Sequence, residues 1–236
     1  LEKFGDDFAP GDLVILNDPY HGGMHLPDIF MFKPVFYEGR LEGFTVVVAH
    51  HADIGGRVPG GGAADSTEIF QEGLRLPPVK LQVAGIPVQA LYDVILLNVR
   101  VPELVLGDLT AQIAGCAAGE RGLQGMLAQY GPATLNYYVG EILDYSERVT
   151  RKEISQWRDG TYEYTDYEDH DGLTAAMVAV RVRVQVEGDG VHFDFTGSSP
   201  QVKGAINCTP SFARSAVYIA VRSLLQTPVP NNEGCF

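Results

Sequence analysis

From Val178 to Val186 every second residue is valine, and Arg181, Arg183, Gln185 and Glu187 take alternate places. A helix repeats its faces every 3.6 residues, so a strict period of two reads as a half-exposed antiparallel strand. Asp189-Gly190 follows as a hairpin turn before Val191, Phe193 and Phe195. The first part of the chain repeats the theme. "DLVILN" (12–17), "IFMFKPVFY" (29–37) and "LEGFTVVVAH" (41–50) are strand-like runs, and Glu38-Gly39-Arg40 joins the last two as a second hairpin.

Helical patterns occupy the middle. Residues 103–130 show helical spacing, with Leu109, Ile113, Ala117, Leu123 and Leu127 as the expected buried side. Gly115, Gly119, Gly122 and Gly125 recur three or four apart, a stripe suited to close packing against another backbone. A second helix is expected over 132–157. Asp65 or Ser66 would cap a short one that Gly73 and Pro77-Pro78 stop. Thr209 as N-cap and Pro210 as first residue open a last helix through about 225. The fold class is therefore α+β, mixed or antiparallel sheets with packed helices. Three regions follow: β-rich 1–100, helical 101–158, and hairpin plus helix 159–236, which can form one continuous domain. Val46, Val48, Val180 and Val182 are expected in the core.

Composition narrows the function. Lys and Arg number 17 against 30 Asp and Glu, a net charge of −13 that disfavours nucleic acid. No apolar run is long enough to predict a membrane span, and no secretory signal opens the sequence. Three dispersed cysteines without a CxxC suggest a reducing, cytoplasmic setting. "GGRVPGGG" (55–62) has the glycines of a phosphate loop but not its Lys-Ser/Thr, and no G-x-S-x-G nucleophile elbow occurs. The opening "LEKFGDDFAPGD" and closing "VPNNEGCF" read as the interior of a longer polypeptide.

The chemistry concentrates in "NDPYHGGMHLPD" (17–28) and "AHHADIGG" (49–56), where four of the six histidines fall within thirty-one residues. If 29–37 and 41–50 pair as an antiparallel hairpin, the start of one strand meets the end of the other. His25 and Asp28 then approach His50 and His51. His25, Asp28 and His50 supply two imidazoles and a carboxylate, a set suited to zinc, manganese or iron with positions left open for water and substrate. A loop histidine and a turn-capping aspartate would give the same letters. His50 and His51 point to opposite faces of a strand, so only one serves as a ligand. His21 and His51 are candidates for further ligands, for hydrogen bonding to the ligands or for acid–base catalysis beside the metal. Asp53 is a candidate for the same proton transfer, and Asp18 and Asp53 would equally support the ligands or simply form turns. Pro19, Pro27 and Gly22-Gly23 shape a stiff loop. Glu68 and Glu72, four apart, either present a carboxylate to substrate or stand as solvated charges, the second being the expected reading.

"GDLVILNDPYHGGMHLPD", "AHHADIGGRVPG", "TEIFQEGLRLPPVKL", "LLNVRVPELVLGDLTAQIAG" and "VHFDFTGSSPQVKGAIN", in this order, resemble the hydantoinase B/oxoprolinase (HyuB-like) family. The resemblance implies a metal-dependent subunit in a hetero-oligomer, beside a HyuA-like partner that uses ATP to phosphorylate the substrate. It implies ligands at His25, Asp28 and His50, and a further acidic ligand from an N-terminal portion. The expected reaction is opening of a cyclic amide such as a hydantoin or 5-oxoproline. The alternatives are a ketone carboxylase subunit, an iron oxygenase built on two histidines and a carboxylate, and a non-catalytic assembly fragment.

Overall fold

The computed structural model describes residues 3–236, which divide into two compact units, 3–132 and 133–236. In the first, β1 (Leu13–Leu16), β2 (Asp28–Tyr37), β3 (Arg40–His50), β4 (Val79–Val83) and β5 (Ile86–Pro87) form an antiparallel sheet in the order β3-β2-β1-β4-β5. The β2–β3 hairpin forms as the sequence predicts. Tyr37 pairs with Arg40, and Glu38 and Gly39 between them both have positive φ, 48° and 78°. A turn of that hand matches the twist of the strands it joins.

The helices α1 (Gln89–Leu97) and α2 (Pro102–Tyr130) complete this unit. α2 lies on the face of β2 and β3 that carries Ile29, Met31, Thr45 and Val47. Its buried residues are Val105, Leu109, Gln112, Cys116 and Leu127. Leu109 and Leu127 are buried as expected, but the stripe is rotated toward Gln112 and Cys116, leaving Ile113 only partly buried. The reason is the glycines. A Cβ on Gly115 would stand 3.3 Å from Val47 Cγ2, and one on Gly119 only 2.8 Å from Thr45 Cγ2, whereas Gly122 and Gly125 have nothing within 4 Å. The close packing is thus confined to two of the four.

Val46 and Val48 are not core residues: both are about half exposed, at 49% and 51%. Side chains alternate across a strand, so burying Thr45 and Val47 under α2 turns Val46 and Val48 to the open face. The core consists instead of Leu13, Ile15, Leu26, Ile29, Met31, Ile54, Leu81, Ile95, Val105 and Leu109, with their partly buried neighbours. The helix expected after Ser66 reduces to one 3₁₀ turn, Ile69–Gln71, with Gln71 Oε1 accepting the Thr67 and Glu68 N–H groups. Gly73 ends it before a second turn can offset the cost of nucleation.

In the second unit, α3 (Pro132–Ile154) precedes a three-stranded antiparallel sheet, β6 (Gly160–Glu168), β7 (Val178–Glu187) and β8 (Gly190–Asp194). The valine alternation falls on β7. Val180 is 48% exposed and Val182 only partly buried, while Val186 is buried. Helix α4 (Pro210–Leu224) starts as expected, the Thr209 side chain accepting the Phe212 N–H. The architecture is α+β. The boundary between units falls inside the 101–158 region, because α2 packs on the first sheet and α3 lies in the second unit.

Candidate metal centre

Register brings two of the three predicted ligands face to face: Asp28, first in β2, pairs with His50, last in β3. His50 Nδ1 lies 3.2 Å from Asp28 Oδ1, and His25 Nδ1 lies 2.7 Å from Asp28 Oδ2. The two imidazoles stack with their centroids 4.8 Å apart. One potential ligand atom from each of the three residues lies within 4.8 Å of the others. Two ligands about 2.1 Å from a common ion stand roughly 3–4 Å apart, so modest adjustment would close the trio on a divalent cation. The Asp28 side chain is 10% exposed, and those of His25 and His50 are 46% and 62% exposed, so the centre opens on one side. Two imidazole nitrogens and a carboxylate oxygen fit zinc, manganese or iron.

The loop that presents His25 is fixed by buried bonds. Asn17, fully buried, donates through Nδ2 to the Leu26 and Leu74 carbonyls and accepts the Leu76 N–H at Oδ1. One side chain thereby fastens both ends of the histidine loop to the segment 74–76. Asp18 caps the 3₁₀ turn Pro19–His21 by accepting the Tyr20 N–H, and Gly22, at φ 110°, ends that turn. Burial alone would raise the Asp18 carboxyl, but Arg75, the Tyr20 N–H and His21 outweigh it and hold it below the usual carboxylate range.

The three residues expected to move protons lie in different settings. His21 is on the surface, its Nδ1 2.9 Å from Asp18 Oδ2 and its side chain 54% exposed. His51 is fully buried, with Nε2 2.8 Å from Gln112 Oε1. Asp53 is buried against Arg100, which reaches its Oδ1 at 2.9 Å through Nη1 and the Gly55 and Gly56 carbonyls through the same guanidinium. Desolvation would raise the Asp53 carboxyl, yet the Arg100 backbone and side chain and the Gly55 N–H keep it below its ordinary value. A carboxylate so stabilised is a poor proton acceptor near neutral pH.

Glu72 is not the solvated charge the sequence suggested. Its carboxyl is partly buried, and burial pushes it above the usual range against the attraction of nearby His25. The glycine-rich loop makes this placement possible. A Cβ on Gly56, at φ 82°, would come within 2.6 Å of the Glu72 carbonyl. Gln112 and Arg100, which hold His51 and Asp53, carry no local sequence signal. Both lie on or beside the helices, far in sequence from what they bind.

The hydantoinase B/oxoprolinase family model matches residues 1–236. The chain belongs to that family. It is 37% identical over 233 residues to the beta chain of the caprolactamase of Pseudomonas jessenii, covering 99% of this chain and 40% of that one. It is 35% identical over 232 residues to one subunit of a putative D-/L-hydantoinase of Pseudomonas sp. (strain NS671), covering 95% of this chain and 39% of the relative. The crystal structure of the ATP-dependent caprolactamase from Pseudomonas jessenii superposes with a TM-score of 0.91 at 38% identity, over 99% of this chain and 40% of that one. The chain thus spans about two fifths of the length of these relatives. Among the described residues no helix is long and apolar enough to cross a membrane.

Proposed function

We propose that this chain carries the metal centre of an ATP-dependent enzyme that opens a cyclic amide, of the hydantoin, oxoproline or lactam kind. The observation that carries the reading is the meeting of His25, Asp28 and His50 at the adjoining ends of β2 and β3. These three side chains would hold the ion, zinc or manganese before iron, with any remaining position filled from outside this trio. Bound there, the cation would supply Lewis-acid polarisation of a carbonyl, or a water made acidic enough to act as nucleophile.

The protein's own groups divide the remaining work. Asp28 orients both imidazoles through its two oxygens. His21, paired with Asp18 and open to solvent, would exchange the proton with the substrate, since the carboxylate fixes which ring nitrogen stays free. ATP is used by a HyuA-like partner in a hetero-oligomer. Two features support this division: these residues carry no phosphate loop, and the caprolactamase and hydantoinase relatives are each named as one subunit of an enzyme.

The test is a metal analysis of the full-length protein, followed by assay with its ATP-using partner on a hydantoin, 5-oxoproline, a lactam and a ketone with bicarbonate. ATP-dependent ring opening that stops on chelation and returns with zinc or manganese is the expected result. Turnover of the ketone alone would make the protein part of a carboxylase. Oxygen consumption with a 2-oxoacid would make it an iron oxygenase, and absence of any bound metal would defeat the reading.

A further inference from the structure

β1 ends at Leu16, opposite Phe30, so the first two residues of β2 extend past it. Those residues are Asp28 and Ile29. Three bonds secure this overhang. The His51 N–H donates to the Pro27 carbonyl at 2.8 Å, prolonging the β2–β3 ladder by one step. His51 Nε2 meets Gln112 Oε1 at 2.8 Å, and Gln112 Nε2 donates to the Ile29 carbonyl at 2.8 Å. His51 is fully buried and Gln112 is 3% exposed. The carbonyls on both sides of Asp28 are therefore tied to His51, the residue that follows His50, directly or through one glutamine on α2.

We propose that His51 and Gln112 are a positioning pair for the metal-binding trio, a role that rests on the metal reading above. The Ile29 carbonyl can only accept, so it turns the Gln112 amide nitrogen toward itself and the amide oxygen toward His51. That oxygen also only accepts, so His51 carries its hydrogen on Nε2. His51 Nδ1 is then a buried lone pair, and it has no hydrogen-bond partner among the described residues. A buried polar pair with one unsatisfied atom is not the most stable filling for a layer otherwise made of Leu109, Cys116, Ile29 and Met31. What it adds is direction: the strand ends that bear Asp28 and His50 are fixed to α2 by bonds of defined length rather than by packing alone. Groups that orient a ligand's carrier affect metal affinity without touching the ion.

The experiment loads the full-length protein with cobalt(II) and compares Gln112→Met with Leu109→Ala. Leu109 lies one turn away on the same buried face of α2 but makes no bond to the strand ends. Gln112→Met should weaken cobalt binding roughly tenfold or more and shift the ligand-field absorption of the loaded protein. Leu109→Ala should lower the melting temperature and leave affinity and spectrum as in wild type. Gln112→Glu carries the same test should the methionine variant fail to fold, since it keeps the acceptor for His51 and loses the donor to Ile29. In the metal-free protein, the ¹⁵N shifts of His51 should report hydrogen on Nε2 in wild type. Wild-type affinity and spectrum in the Gln112 variants would reduce the pair to a structural one. Equal loss in Leu109→Ala would tie metal affinity to stability alone, and hydrogen on Nδ1 would break the network as drawn. Failure of wild type to take up cobalt would instead sink the metal reading, and the positioning role with it.

Discussion

Asp28 and His50 are direct partners across the β2–β3 hairpin, and His25 completes the cluster from the loop that leads into β2. The next residue, His51, points the other way, into the core beneath the sheet. One residue of register therefore separates a group open to a ligand from one sealed against α2.

Substituting the two histidines should separate their roles. His50→Ala removes an exposed side chain and should change stability by no more than about 0.5 kcal/mol. Its bound metal should fall to background. His51→Ala orphans Gln112 in the interior and should cost about 1–3 kcal/mol, with metal binding weakened but measurable. Metal content and thermal unfolding on the same samples check both. Loss of metal in His51→Ala with retention in His50→Ala would place the ligand one residue further on.

His25→Ala and Asp28→Ala should each lose metal while far-UV circular dichroism stays close to wild type. The cluster sits at the sheet's end, whereas the first unit is held by Leu13, Ile15, Met31, Leu81 and Leu109. A catalytic ion with open positions contributes less to folding than a closed structural one. Loss of fold together with metal would make the ion structural. Metal retained in both variants would leave the histidine loop as a turn and no more.

How far the sequence disclosed this site depended on the range of each interaction. The hairpin was legible because Glu38-Gly39 and the runs on either side act locally, and antiparallel pairing then dictates that Asp28 meets His50. Gln112 was not, because its partners His51 and Ile29 are 61 and 83 residues away. Helical periodicity favoured Ile113 and Ala117 as the buried side of α2, and tertiary packing of Gly115 and Gly119 on β3 turned Gln112 and Cys116 inward. Strand β6 was missed for a related reason. Its "GTYEYTDYE" is polar and exposed along nearly its whole length, so no apolar pattern marks it.

Acid should unfold the first unit through Asp12 and Asp53. Burial would raise both carboxyls. For Asp12 the Ala84 and Ala9 N–H groups and Lys80 outweigh that, and for Asp53 the outweighing groups are Arg100 and the Gly55 N–H, so both are held below the ordinary aspartate range. Groups whose folded values are depressed stabilise fully above the unfolded value and lose that contribution as pH falls through the folded one. The melting temperature should be insensitive to these groups from neutrality down to about pH 5, then drop below about pH 4. Asp53→Asn should be less stable at pH 7 and show a shallower fall in acid. A melting curve that fell equally steeply in both proteins would remove Asp53 from the account.

The glycines of α2 make a paired prediction with opposite signs. At Gly119 an added Cβ meets Thr45 Cγ2 at 2.8 Å and Thr45 Cβ at 3.1 Å. Thr45 cannot easily withdraw: its side chain is β-branched, and its Oγ1 donates to the Cys116 carbonyl at 3.1 Å. Either the helix or the strand must shift, so Gly119→Ala should cost about 1–3 kcal/mol despite alanine's better helix propensity. Because β3 ends at His50, a displaced strand should also weaken metal binding. At Gly122, one turn on, nothing lies within 4 Å and the residue is exposed. Gly122→Ala should therefore gain up to about 1 kcal/mol from propensity alone and leave the metal site as it is. Chemical unfolding of both variants, with metal titration, decides the matter. Equal stabilisation by both substitutions would mean that α2 does not press on β3 at Gly119, and the rotation of its buried face would need another cause.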